Sequence, residues 1–148
     1  VYGGEVGVEF QATSWLTGFA NYSIQEIEKN TIGHARRGAP QSKVNAGLRG
    51  EWENGLSGDI VLHHVGSAQY PIAQSFDIFG VSPGNRADSY TLLNLRTGYR
   101  FWEQDAPAGY RQSAEIAVSV FNVFDDHREH PLGDLISRRI MAWLTLRL

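Results

Sequence analysis

The sequence predicts an all-β chain, an antiparallel up-and-down sheet of the membrane-barrel kind, on three observations. Apolar residues recur with a period of two over segments of about ten residues, which places them on one face of an extended strand. The connections alternate between short turns and long polar loops. Gly 16, Trp 4, Tyr 6 and Phe 7 make a composition that suits strands better than helices. Mean hydropathy is -0.30, and no run approaches the ~18 apolar residues of a membrane helix, so only strands would carry this chain across a bilayer.

Tyr2 to Ala12 reads as the first strand, Thr13-Ser14-Trp15 as a short turn, and Leu16 to Glu28 as the returning partner. In the partner Gly18, Ala20, Tyr22 and Ile24 oppose Thr17, Asn21, Ser23 and Gln25, and Phe19 breaks the alternation. After a loop from Lys29 to Pro40, the clearest segment follows: Val44, Ala46, Leu48, Gly50 and Trp52 alternate with Lys43, Asn45, Gly47, Arg49, Glu51 and Glu53. Asn54-Gly55 then predicts a two-residue type I′ hairpin turn, because this dipeptide best tolerates positive φ at both centres. From Leu56 a strand runs back, with Gly58, Ile60 and Leu62 against Ser57, Asp59, Val61 and His63. His63 and His64, being adjacent, point to opposite faces and do not chelate together. A long loop from Pro71 to Asp88 precedes Tyr90 to Phe101, where Leu93, Leu95, Thr97, Tyr99 and Phe101 oppose Asn94, Arg96, Gly98 and Arg100. Trp102 to Gln112, with Pro107 and Gly109, is expected as a turn, and Ser113 to Phe124 as the next strand. The loop Asp125 to Ile136 leads to a last strand, Ser137 to Leu148, which gives seven strands and no helix.

Paired as a meander, these strands place every short turn at one end of the sheet and every long loop at the other, as outer-membrane barrels do. Strands of about ten residues match the ~9 to 11 that a tilted membrane strand needs, against ~5 to 6 in soluble proteins. Trp15, Trp52, Tyr70, Tyr90, Phe101, Trp102 and Phe124 sit near strand ends, where an interfacial girdle would hold them; a general preference of aromatics for strands is the alternative.

Composition and motifs exclude several classes. With Lys+Arg 13 against Asp+Glu 16 the net charge is -3, which offers no basic footprint for nucleic acid. Without cysteine there is no disulfide framework, zinc ribbon or thiol nucleophile. Gly55-Leu56-Ser57-Gly58 lacks the nucleophile-elbow spacing, and Gly3, Gly4 and Gly7 precede a strand where a phosphate loop would precede a helix, so no enzyme is expected. Asp125-Asp126-His127-Arg128-Glu129-His130 packs two imidazoles and three carboxylates together. With no helix to set their spacing it reads as a solvated loop, and neither metal nor cofactor is expected. Asn21-Tyr22-Ser23 is a sequon in mid-strand and reads as accidental.

Several stretches resemble the late barrel strands of TonB-dependent outer-membrane receptors. They are Arg36-Arg37-Gly38-Ala39-Pro40, Lys43 to Arg49, Asn54-Gly55-Leu56, His64-Val65-Gly66, Ser89 to Phe101, Val120-Phe121-Asn122-Val123-Phe124-Asp125-Asp126, and Arg138-Arg139 before the last strand. The order and spacing of these stretches, more than any one of them, carry the resemblance over nearly the whole chain. It implies about seven C-terminal strands of a 22-stranded transmembrane barrel in a Gram-negative outer membrane. Such a barrel encloses an N-terminal plug and takes up ferric siderophores, haem or cobalamin with energy passed on by TonB. Plug and TonB box have no match here, so TonB would act through regions outside this sequence. Val1 to Phe10 lacks a signal-peptide pattern, and the chain is expected to be a fragment or a processed product.

The resemblance also assigns roles. Lys43, Arg49, Glu51, Glu53, Asp59, Arg96 and Arg100 would line the lumen or contact the plug. His34, Arg36, Arg37, Tyr70, Phe76, Phe79 and Arg86 in the long loops would capture an anionic aromatic chelate or touch lipopolysaccharide phosphates. Trp143, Leu144, Leu146 and Leu148 would form the C-terminal strand read by the barrel-assembly machinery, with Leu148 where such barrels typically end in Phe. The competing readings are a passive porin-like channel and a soluble lipocalin-like module, whose interior would be apolar.

Overall fold

The computed structural model describes residues 1–27, 39–69, 86–105, 109–130 and 133–148, and the chain in it is all-β. Seven long strands form one antiparallel sheet: β1 Tyr2–Gln11, β2 Leu16–Glu26, β3 Ser42–Glu51, β4 Leu56–Val65, β7 Tyr90–Asp105, β8 Arg111–Phe121 and β9 Arg139–Arg147. Each pairs with the next in that order, as the meander expectation requires. Between β4 and β7 the chain adds a two-residue ladder, β5 Ala68–Gln69 with β6 Arg86–Ala87, which period-two reading does not reveal in so short a segment. Among the described residues β1 and β9 do not pair with each other, so the sheet is open and not closed into a barrel.

Register sorts the side chains by chemistry. Leu48, Ile60, Leu95 and Val120 face one another across four strands, and so do Arg49, Asp59, Arg96 and Ser119. The first set and its neighbours form an exposed apolar face on which Val6 is 66%, Ile60 51% and Ile116 50% accessible. On the polar face Asp59 is 17% accessible and Ser119 4%. Among the described residues no large side chain is fully buried, so this single layer has no apolar core of its own.

The β3–β4 hairpin corrects the expected turn. Trp52 N–H donates to Leu56 O at 2.9 Å and Gly55 N–H to Trp52 O at 3.0 Å, and only Gly55 of the two central residues has positive φ, at 85°. This is a three-residue loop, Glu53 to Gly55, with glycine in the left-handed position, not a two-residue type I′ turn. Parity explains it: a two-residue loop would pair Glu53 with Leu56 and set Arg49 opposite Ile60, mixing the two faces. Glu53 consequently lies in the loop and not among the polar-face strand residues.

Two strand ends also differ from expectation. β7 and β8 run on as a ribbon to Asp105 and from Arg111, so the segment expected as a turn from Trp102 is mostly strand. A bulge between Arg100 and Trp102 absorbs the consecutive aromatics Phe101 and Trp102, and Glu103 returns to the face of Arg100. β8 stops at Phe121, not Phe124, because Asn122 (φ 55°) and Asp125 (φ 65°) turn the chain through the left-handed region that Asn and Asp tolerate. Phe19, the break in β2, covers Gly47: a Cβ there would lie 2.6 Å from its ring, so glycine makes the room that the ring occupies.

Candidate functional site

Opposite charges form a row across the polar face. Arg49 Nε donates to Asp59 Oδ1 at 2.8 Å, and Arg96 Nη1 reaches Asp59 Oδ2 at 3.4 Å. Arg96 Nη2 donates to Glu115 Oε1 of β8 at 2.5 Å, and its guanidinium carbon stands 5.8 Å from the Trp143 ring of β9. Arg96 thereby joins β4, β7, β8 and β9. Toward the short turns Arg100 pairs with Glu103 at 2.5 Å, and Arg111 reaches the same carboxylate at 3.0 Å. Arg49 is 68% exposed, and a pair so wet is worth about 0 to 1 kcal/mol, so the row organises charge more than it stabilises the sheet.

A groove of about 410 Å³ runs along this face, bounded by Glu9 of β1, Phe19, Arg49, Asp59, Arg96 and Trp143 of β9. In a flat seven-stranded sheet the outermost strands lie about 29 Å apart. One groove bounded by both therefore requires the sheet to curl with its polar face inside. Alternating guanidinium and carboxylate groups on a concave wall suit contact with a charged polypeptide surface or a hydrated anion.

Of the expected lumen residues, Lys43, Arg49, Glu51, Asp59, Arg96 and Arg100 share this face, while Glu53 does not. Lys43 and Glu51 make no ion pair among the described residues. Of the expected loop residues only Arg86 is described: it lies in β6, 3.7 Å from Asp88 Oδ1 and 3.3 Å from Ser67 Oγ. His34, Arg36, Arg37, Tyr70, Phe76 and Phe79 lie outside the described residues. In β9, Trp143 faces the groove, Leu144 and Leu146 lie on the apolar face, 59% and 58% exposed, and Leu148 follows the strand. Sequence reasoning missed Glu115 and the Arg96–Trp143 contact; both occupy polar-phase positions, but only register shows that they meet Arg96.

A second cluster lies at the long-loop end: Asp126, Arg128 and Glu129 are exposed, as expected of a solvated loop, but His127 is not. The His127 side chain is 8% exposed, its ring 4.7 Å from Tyr90, with Nδ1 3.1 Å from Asn122 Nδ2 and Nε2 3.1 Å from Glu129 Oε1. His127 and Ile136 form a bridge, and Asn122 Nδ2 donates to Ile136 O at 2.9 Å. Asp125 accepts from Arg138 N–H at 2.7 Å and from its guanidinium at 3.1 Å. Those bonds, the backbone one foremost, hold its carboxyl below the usual carboxylate range. Long-range pairing across the loop ties down a segment whose charged side chains stay mostly exposed. Among the described residues no three His, Asp or Glu side chains converge as a metal site.

Comparison with known protein families, with curated sequences and with solved structures finds no match to this chain.

Proposed function

We propose that the chain forms C-terminal strands of the barrel of a TonB-dependent receptor in a Gram-negative outer membrane. Such a receptor takes up a scarce ligand such as a ferric siderophore, haem or cobalamin. The observation that carries the reading is the two-faced sheet, with an exposed apolar face of Val6, Ile60, Leu62, Ile116 and Leu144 and an inward, charge-paired polar face. Lipid accepts the first directly, and a wet lumen or a polar plug accepts the second. A lipocalin-like module would need the reverse arrangement. Strand height agrees: ten residues of β3 or β4 extend about 33 Å, or about 25 Å when tilted by about 40°, the height of an outer-membrane apolar band. The open outer edges of β1 and β9 support the same reading, because an edge in lipid needs further strands to satisfy its backbone.

In this reading Lys43, Arg49, Glu51, Asp59, Arg96 and Arg100 meet the plug or the lumen water. Arg86, in β6 at the long-loop end, is placed to meet ligand or lipopolysaccharide. The test is to sequence the coding DNA upstream of Val1 in frame. Many more alternating strands and a globular plug are expected. A start signal within a few codons would overturn the reading, and steady ungated conductance of the complete protein in planar bilayers would replace it with a porin.

A further inference from the structure

Asn122 is 4% exposed, and the orientation of its amide follows from its neighbours. The Ile136 carbonyl 2.9 Å away accepts only, so the atom facing it is Nδ2. The other Nδ2 hydrogen points to His127 Nδ1 at 3.1 Å, which makes Nδ1 an acceptor. In the neutral ring the proton is therefore on Nε2, where it donates to Glu129 Oε1 at 3.1 Å. Asn122 Oδ1 is buried and makes no hydrogen bond, so the amide is held through its nitrogen alone.

We propose that His127 is a proton-operated latch on the β8–β9 loop: neutral, with its proton on Nε2, it holds the loop closed, and a second proton at Nδ1 opens it. Protonation sets Nδ1–H against the Asn122 N–H groups, donor against donor. Turning the amide over would offer Oδ1 to the imidazolium but take Nδ2 from the Ile136 carbonyl. The ring and Ile136 cannot both keep Asn122 as partner once the proton is on, so the His127–Ile136 bridge loses its side-chain clamp while the Asp125–Arg138 tie farther along stays in place. The charges facing the ring have both signs. Glu129 accepts at Nε2, Tyr90 of β7 covers one ring face, and Asp125, Asp126 and Arg128 of its own loop border the same cavity. From the β6 side the Arg86–Asp88 pair borders it too, while Asp125 is engaged by Arg138. The latch does not depend on the receptor reading, on which it would sit at the outer end of the barrel.

The test uses the full chain with ¹⁵N-labelled histidine in detergent micelles between about pH 8 and pH 5, the range in which histidines ordinarily titrate. At the upper end His127 should show protonated Nε2 and bare Nδ1. As the second proton binds, the amide protection factor of Ile136, whose N–H donates to His127 O, should fall at least about tenfold. His127→Gln, whose amide oxygen still accepts from Asn122, should keep Ile136 protected at every pH. Asn122→Asp, which only accepts, should bring a proton onto Nδ1 already at pH 8 while Nε2 keeps its own toward Glu129. A neutral ring with its proton on Nδ1 in the unsubstituted chain would overturn the latch. So would an Ile136 protection that falls with acid equally in His127→Gln.

Discussion

Ile60 and Val61 are adjacent in the middle of β4, at nearly the same depth, yet they point to opposite faces. Ile60 lies between Leu48 and Leu95 and is 51% exposed; Val61 lies between Gly47 and Asn94 and lines the polar groove. On the receptor reading proposed above, Ile60→Arg would place a guanidinium among aliphatic side chains at the membrane midplane, where lipid offers it no partner. The cost there is about 2 to 4 kcal/mol. At about 1.4 kcal/mol per factor of ten, this lowers the folded-to-unfolded ratio in bilayers about thirty- to seven-hundredfold. Val61→Arg would enter the groove beside Asp59, where water and a carboxylate are at hand, and should cost under about 1 kcal/mol. Denaturant titration of the full-length protein in phospholipid vesicles, followed by Trp fluorescence and heat-modifiable mobility, measures both. Equal losses, or a larger loss for Val61→Arg, would refute the assignment of faces.

Three further outcomes follow from particular contacts. Gly47→Val should destabilise the sheet by about 1 to 3 kcal/mol, because its Cβ would meet the Phe19 ring at 2.6 Å and the Ile60 carbonyl oxygen at 2.9 Å; Phe19→Ala in the same chain should recover part of the loss in a denaturant titration. Arg96→Met should cost about 1 to 2 kcal/mol, since it leaves Glu115 and one oxygen of Asp59 without their donor, and should shift the Trp143 emission as the cation leaves its ring. The Asp125 carboxyl titrates below its ordinary value, so its contribution is complete above the unfolded value and is lost only as pH falls through the lower folded one. Amide exchange at Arg138 should therefore stay slow through mildly acidic solution and quicken only in stronger acid, whereas an Asp125→Asn chain should show no such late step.

Alternation of polarity is enough to read the seven long strands and their faces, though not the short β5–β6 ladder, because each long strand carries its own evidence of which side is wet: Leu48 against Arg49, Ile60 against Asp59, Leu95 against Arg96. What alternation lacks is the offset between strands. The Asn54-Gly55 pair suggested a two-residue turn, yet matching faces across the hairpin required an odd loop, and the face constraint outweighed the local preference. Glu115 and Trp143 were legible as polar-phase positions, but their meeting with Arg96 depends on two registers and a bulge. Nor was the loop latch legible. Asn122 and Ile136 stand far apart in sequence, and the burial of His127 comes from Tyr90 on another strand, so the local run of charges pointed to solvent.

The two ends of the sheet are built by different physics, and the difference bears on how the sheet would sit in a membrane. At the short-turn end the Trp15 and Trp52 rings stack with centroids 5.4 Å apart, and Trp52 lies over Gly50 on the apolar face. An apolar groove bounded by these rings, Ile60 and Val118 continues into that face. Indole rings prefer the boundary where apolar surface meets headgroups, so on the receptor reading this end would mark where the apolar band stops. At the opposite end the chain is tied by ion pairs and amide bonds, Asp125 to Arg138 and Asn122 to Ile136, whose charged and polar groups would be costly to carry into lipid. Strands of about ten residues separate the two ends, so the same registers that put Arg96 in the groove also set the distance between the ring girdle and the loop latch. A one-residue slip would fail on both counts, exchanging the faces and dragging the ion pairs of the polar face into the band.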